Sequence, residues 1–384
     1  AADWHRFVVA APSLPLMKRP IATTATIAIA AGLLIAPSAS AAPTALTPQE
    51  AAASGFNGGV DPIRDRVLPG RPPSTPRARA AAAFSGKGGT YTVSANGSTA
   101  KVSVYSSTKL AFNPAVNLAW AKFFAGLPHG SELSKLKVYL APISQITQSY
   151  VCGSLADSCY DPSYSTMYLV SSTPPDGASV TQVAAHEYGH HIATWRVNTP
   201  WDALTWGPKR WASAAHVCQY ARSGEMWPGD EGAHYEDNPA EIWAEVYRVY
   251  ASSVNADRLD PWEILTPRWQ PDSAQISAAA DDALRPWTGQ AKSTAKGSLG
   301  SSGLQTASAV VPMTLDGRVT AAVTTKSGLK VSVAAYAANG DRLAGPTSRS
   351  SLSVDGCGNG NITLQVKRIS GNGSWSLSIQ SPGA

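Results

Sequence analysis

The stretch His186-Glu187-Tyr188-Gly189-His190 constrains this chain more than any other. The spacing H-E-x-x-H has a chemical use on a helix, where residues four apart share a face. There His186 and His190 can present two imidazoles to one metal ion, and Glu187, one position on, lies within reach of a water beside it. Zinc lowers the pKa of such a water towards about 7, and a carboxylate can take its proton as it attacks a carbonyl. Histidine is scarce, with 7 in 384 residues, so two at this spacing around a glutamate stand out from composition. Ser179 and Gln182 fit the two ends of a capping box for this helix, and Pro174-Pro175-Asp176-Gly177 reads as the turn before it. Gly189 inside a helix costs about 1 kcal/mol relative to alanine. Close approach of another segment near the metal is one reason to keep it.

A catalytic zinc needs a third protein ligand and an open position. His191 points about 100° round the helix from His190, which makes it a poor ligand. Downstream, Asn238-Pro239 suits the N-cap and first position of a second helix. Glu241 and Glu245 then share one face of an otherwise apolar run, Ile242, Trp243, Val246 and Tyr247. Two carboxylates in that setting want a cation or hydrogen-bond donors. Our reading gives Glu241 to the metal, and has Glu245 accept from the free ring N–H of His186. The rival reading makes Glu241 a capping-box residue that reaches back to Asn238, and leaves Glu245 as the ligand. A donor for the transition-state oxyanion is also required, and His234, Tyr235 and Tyr247 are the candidates near the third ligand.

The pair His-Glu-Tyr-Gly-His and Glu-Ile-Trp-Ala-Glu resembles the gluzincin type of zinc metallopeptidase. In that type the third ligand is a Glu on a later helix, followed four residues on by an acidic residue outside the metal's own shell. The second motif is also similar to the E-x-x-A-D element of bacterial neutral zinc metallopeptidases, with Glu245 in place of Asp. Cys152…Cys159-Tyr160, Lys209-Arg210-Trp211 and Pro228-Gly229-Asp230 resemble secreted bacterial members of that group. The resemblance implies an α+β fold: a zincin-like catalytic domain with a mixed sheet and an active-site helix. It also implies one catalytic Zn2+ and protein or peptide substrates.

Residues 1–41 read as an over-extended start, with Met17 as initiator, plus a signal peptide. Lys18-Arg19 precedes the apolar run 21–36, and Ala39-Ser40-Ala41 is a cleavage site ahead of Ala42. The product is therefore expected to be secreted, with no stable membrane anchor after signal cleavage. Export permits disulfides. Cys152 and Cys159 are close enough to close a small loop, and Cys218 with Cys357 either pair or stay free. Residues 42–88, rich in Ala, Pro and Arg, read as a disordered linker or pro-segment. Residues 89–290 form the catalytic domain. In it, Tyr91–Ser94 and Lys101–Tyr105 pair around Asn96-Gly97, and Asn113-Pro114 opens a helix. Thr166–Val170 reads as a strand just before the metal helix, either an edge strand that could hold an extended peptide or an ordinary core strand, and His129 to Glu132 as a helix-terminating turn.

Residues 291–305 read as a linker. Residues 306–384 carry short, evenly spaced alternating runs, which argue for a small all-β sandwich similar to the pre-peptidase C-terminal module. The net charge of +5 is spread without a basic stripe among aromatics, so nucleic acid is not an expected partner. The favoured function is a secreted zinc endopeptidase. Two alternatives stand beside it. One is a non-catalytic secreted binding protein with a structural zinc closed by His191 or His234. The other is a zinc amidase acting on a cell-wall amide.

Overall fold

A computed structural model describes residues 42–50, 86–148, 151–154, 156–172, 179–255, 267–326, 328–357 and 360–383. The signal-peptide reading of residues 1–41 and the turn at 174–177 lie outside them.

The region before residue 290 is built on a five-stranded mixed sheet. Its strands are β1 (Gly86–Ala95), β2 (Ser98–Ser107), β3 (Lys137–Ala141), β4 (Ser158–Asp161) and β5 (Thr166–Val170), in the order β1-β2-β3-β5-β4. β2, β3 and β5 run parallel, while β1 and β4 are antiparallel to their neighbours. Asn96 and Gly97 both adopt positive φ, as a tight right-twisting hairpin turn requires. Of the two places open to Thr166–Val170 the structure gives the inner one, with β5 internal and β4 at the edge. Chain position alone cannot separate an edge strand from its antiparallel neighbour.

Eight helices of four residues or more accompany the sheet among the described residues. They are α1 (Pro114–Gly126), α2 (Ile143–Ile146), α3 (Val180–Thr194), α4 (Ala203–Trp206), α5 (Lys209–Ala214), α6 (Val217–Ser223), α7 (Pro239–Asn255) and α8 (Ser273–Leu284). α1 starts as its sequence dictates, with the Asn113 side chain accepting from Ala115 N–H and proline at the first position. Val116, Trp120, Ala121 and Phe124 form its buried face.

Residues 42–88 depart from the expected linker at both ends. Ala45 is buried, Ala111 N–H donates to Pro43 O at 2.9 Å, and Leu46 N–H donates to Ser171 O at 2.9 Å. Trp120 Nε1 donates to Leu46 O at 2.8 Å. β1 begins at Gly86, inside the same span. Composition averaged over the segment hid a short docked arm, because one Ala-Leu pair is enough to seat it.

The C-terminal region, from residue 290 on, is all β. β6 (Gln290–Leu299), β7 (Thr306–Met313), β8 (Gly317–Thr325), β9 (Lys330–Tyr336), β10 (Arg342–Thr347), β11 (Ser351–Gly356), β12 (Gly360–Ser370) and β13 (Gly373–Pro382) make two four-stranded sheets. Their orders are β10-β9-β12-β7 and β11-β8-β13-β6, with every pairing antiparallel. They enclose a core that includes Val319, Val333, Leu364, Val366, Leu377 and Ile379. The linker at 291–305 is corrected: most of it is β6, paired along its whole length with β13, so the β region starts at residue 290 and not 306. β6 shows no strand period in the sequence because it is polar on both faces, with Lys292 and Lys296 exposed, as suits an edge strand.

Two disulfides form, Cys152–Cys159 and Cys218–Cys357, and the described residues include no free cysteine. The second ties the β region to α6. At the same junction Lys209 Nζ donates to Thr199 O at 2.7 Å and Asp316 O at 2.8 Å, and Asp316 N–H donates to Ser213 Oγ at 2.9 Å.

Candidate metal centre

α3 and α7 pack against each other in antiparallel sense. The contacts pair residue 182 with 252 and 248, 186 with 245, and 190 with 241. Gly189 makes the close approach possible: a Cβ there would lie 2.7 Å from Ala244 Cα. Trp243 Nε1 donates to Gly189 O at 2.8 Å and fixes the two backbones in register.

This crossing brings three donor atoms together. His186 Nε2 lies 3.1 Å from Glu241 Oε2, His190 Nε2 lies 3.3 Å from the same oxygen, and the two imidazole nitrogens are 3.2 Å apart. All three side chains are fully buried. Ligand atoms around tetrahedral zinc, at about 2.0–2.1 Å from the ion, sit about 3.3 Å from one another. The observed triangle fits that set to within a few tenths of an ångström. Glu241 Oε1 and His190 Nδ1 are buried without a protein partner, so the cluster has unused polar capacity. Two imidazoles and a carboxylate suit zinc among the biological divalent ions. Among the described residues the group contains these three donors and no fourth.

The charge states follow from the packing. Burial alone would raise the Glu241 carboxyl, but the His190 and His186 rings beside it outweigh that and hold it well below the usual range. Burial lowers the His190 imidazole, against the opposing pull of Glu241. A divalent metal binds carboxylate and imidazole in their deprotonated forms, the direction in which Glu241 and His190 are both shifted.

Glu245 stands behind His186. Its Oε2 is 3.4 Å from His186 Nδ1, the arrangement in which Nδ1–H donates and Nε2 keeps its lone pair for the cluster. Arg248 reaches the same carboxylate, Nε donating to Oε2 at 2.7 Å and Nη2 to Oε1. Burial would raise the Glu245 carboxyl, and Arg248 outweighs it, so the group is lowered. The capping-box alternative for Glu241 does not form, since Asn238 N–H donates to Tyr235 O instead. Asn238 does cap α7, accepting from Ala240 N–H at 3.2 Å. The expected capping box of α3 is also absent. Ser179 makes no side-chain cap, and Gln182 turns to α7, accepting from Arg248 Nη1 at 2.5 Å.

Glu187 is fully buried on α3 next to His186. Of the three oxyanion-donor candidates, Tyr235 has its hydroxyl 3.2 Å from Glu241 Oε2. His234 instead stacks on Trp227 with ring centroids 4.0 Å apart, and Tyr247 donates to Pro128 O at 2.7 Å. His191 faces away from the cluster, as its rotation round the helix requires. Its Nε2 donates to Glu132 O at 2.9 Å and its Nδ1 accepts from Tyr160 OH at 2.9 Å. Burial lowers this imidazole to about 4.

Sequence reasoning missed Arg248 and the Glu132–Arg196 pair. Arg248 had a usable signal: a cation three residues after Glu245 on an apolar helix face. Glu132, read as part of a turn, is buried with Arg196 Nη1 at 2.9 Å, Gly130 N–H at 2.7 Å and Tyr188 OH at 3.2 Å. Nothing local marks Arg196 as its partner, 64 residues away.

No protein-family model and no curated protein sequence matches the chain. A region covering 24% of it is similar, at 16% identity and a TM-score of 0.19, to 89% of a solved chain, Aeromonas hydrophila PliG, a periplasmic lysozyme inhibitor of g-type lysozyme. At that score the likeness carries no information on fold or function. The two disulfides fit an oxidising compartment. Among the described residues no helix is long and apolar enough to cross a membrane.

Proposed function

We propose that the chain is a secreted zinc-dependent endopeptidase with a zincin-like catalytic domain and a β-sandwich accessory domain. The observation that carries the reading is the triangle of His186 Nε2, His190 Nε2 and Glu241 Oε2, with sides of 3.1–3.3 Å, on a helix in which Glu187 directly follows His186. A bound Zn2+ supplies Lewis acidity towards a carbonyl and makes water acidic enough to deprotonate near neutral pH. Glu187 takes the proton from the attacking water and passes it to the leaving amine. Tyr235, whose hydroxyl donates to Glu241 Oε2, is the candidate nearest the cluster for hydrogen-bonding the oxygen on which charge develops. Glu245 holds His186 in the tautomer that leaves Nε2 free.

Three protein donors leave an open position, which a hydrolytic site needs and a closed structural site does not. His191 and His234, the fourth ligands a structural site would call on, are engaged elsewhere. The test is metal analysis of the purified protein, followed by incubation with a random peptide mixture and sequencing of the products. About one zinc per chain, and cleavage that a chelator abolishes, are expected. Full activity after exhaustive metal removal would sink the reading. Zinc uptake with release of cell-wall amides and intact peptides would move it to the amidase alternative.

A further inference from the structure

The polar seam between α3 and α7 does not end at the metal donors. On α3, Gln182, His186 and His190 recur every four residues, so they share one face. On α7, Glu241, Glu245, Arg248 and Ser252 recur every three or four and face them. All seven are buried, Arg248 at 1% exposure. The contacts close a ring between the helices. His186 Nδ1 meets Glu245 Oε2 at 3.4 Å, and Glu245 takes both Nε and Nη2 of Arg248. Arg248 Nη1 donates to Gln182 Oε1 at 2.5 Å, and Gln182 Nε2 donates to Ser252 Oγ at 3.2 Å. Gln182 lies one helical turn before His186, so the ring starts and ends on α3.

We propose that Arg248 is a positioning residue for the metal centre: its two-pronged grip sets the rotation of the Glu245 carboxylate, and through it the aim of the His186 imidazole at Glu241 and His190. The inference rests on the zinc reading above. A carboxylate touched only by one imidazole N–H is free to turn about its last torsion. A guanidinium that engages both oxygens in one plane removes that freedom, and an ammonium, which is a point charge, does not. Gln182 fixes the guanidinium in turn. A role as bare counter-charge would need only a cation at this place, whereas the contacts here use the fork.

The test measures zinc affinity of the full chain by chelator competition, and the visible spectrum of the cobalt-substituted protein. Arg248→Met and Glu245→Gln should each weaken zinc binding about 10- to 100-fold, the range found for residues that orient metal ligands. The double variant should be no weaker than the worse single one, because both act through the same hydrogen bond. Arg248→Lys keeps the charge and lacks the fork, so it should retain most of the Met variant's loss and share its altered cobalt spectrum. Wild-type affinity and spectrum in Arg248→Lys would reduce Arg248 to a counter-charge and overturn the proposal. Additive losses in the double variant would overturn it too. Should Arg248→Met not fold, Gln182→Ala leaves both charges in place and decides the matter. A several-fold loss with the same spectral change supports positioning, and an unchanged spectrum refutes it. A wild-type chain that takes up neither zinc nor cobalt refutes the zinc reading and this one with it. Uptake by the wild type with indifferent variants refutes the positioning role alone.

Discussion

His190 and His191 are neighbours on α3, equally buried, and they do opposite things. His190 faces α7, where its Nε2 converges with another imidazole and a carboxylate and its Nδ1 has no protein partner. His191 faces β4 and the 131–135 turn, where both ring nitrogens are used, one by Tyr160 and one by Glu132 O. Around it Glu132, Arg196 and Tyr188 complete each other's hydrogen bonds, and Arg196 also donates to Asp282 O and Ala283 O. One face of the helix is a polar cluster with capacity left over; the other is a polar cluster with every member matched. Buried polar groups cost free energy unless paired. A matched cluster therefore serves the fold, and an unmatched one points to a ligand.

The sharpest way to break this contrast is to exchange the two carboxylates of α7. Glu241→Ala should leave the protein without zinc at ordinary concentrations, while Glu245→Ala should keep it with affinity lowered about 10- to 100-fold. Zinc titration of both, with a check that each is folded, reads the result. If Glu245→Ala is the empty one, the ligand and its support are reversed. Next in size, Glu187→Gln should retain zinc and lower turnover about 10²- to 10⁴-fold, since it removes a proton acceptor and no metal donor. Loss of zinc along with turnover would put Glu187 in the metal's own shell.

On the matched face the expectation is inverted. Glu132→Ala leaves the Arg196 guanidinium buried without its carboxylate, which costs about 3–5 kcal/mol of stability in denaturant unfolding. Zinc content per folded chain should not change. A variant of normal stability that loses zinc would erase the distinction between the two faces.

The smallest effect lies at the junction with the β region, where Lys209 is another matched buried charge. Its ammonium donates to two carbonyls and sits 4.9 Å from the Trp287 ring and 5.5 Å from the Trp201 ring. Burial lowers its pKa to about 8 from the ordinary 10.5, against the opposing charges of Asp316 and Asp282. Between those two values the unfolded chain holds the proton and the folded chain has released it, so stability rises with pH across that window. The contribution is about 1–3 kcal/mol. Unfolding curves of wild type and Lys209→Met at pH 7.5 to 10.5 should diverge by that slope, and parallel curves would show that Lys209 titrates normally.

The strands of the β region show how much was legible in advance. Val319–Thr324, Leu329–Tyr336, Ile362–Val366 and Trp375–Ile379 were visible as alternating runs, and they correspond to β8, β9, β12 and β13, the four central strands. The four that were missed, β6, β7, β10 and β11, are the four edges. Central strands bury one face along their length and must alternate. Edge strands carry lysine, proline or short polar runs, as at Lys292, Pro312 and Pro346, which blunt pairing with other chains and erase the period.

The sequence by itself determined what is local and periodic. The four-residue spacing of His186 and His190, the Asn238-Pro239 start that puts Glu241 and Glu245 on one face, the Asn96-Gly97 turn and the inner strands all follow from residues within one or two turns of each other. Only the tertiary structure decided which of two carboxylates meets the imidazoles, that Gln182 serves Arg248 and not its own helix end, and that Glu132 belongs to Arg196. Those outcomes depend on the register of α3 against α7 and of the turn against α8, set by contacts between residues more than fifty positions apart, such as Gly189 on Ala244. A side chain with several possible partners takes the one that packing delivers, and packing is a property of surfaces that the chain order does not bring together.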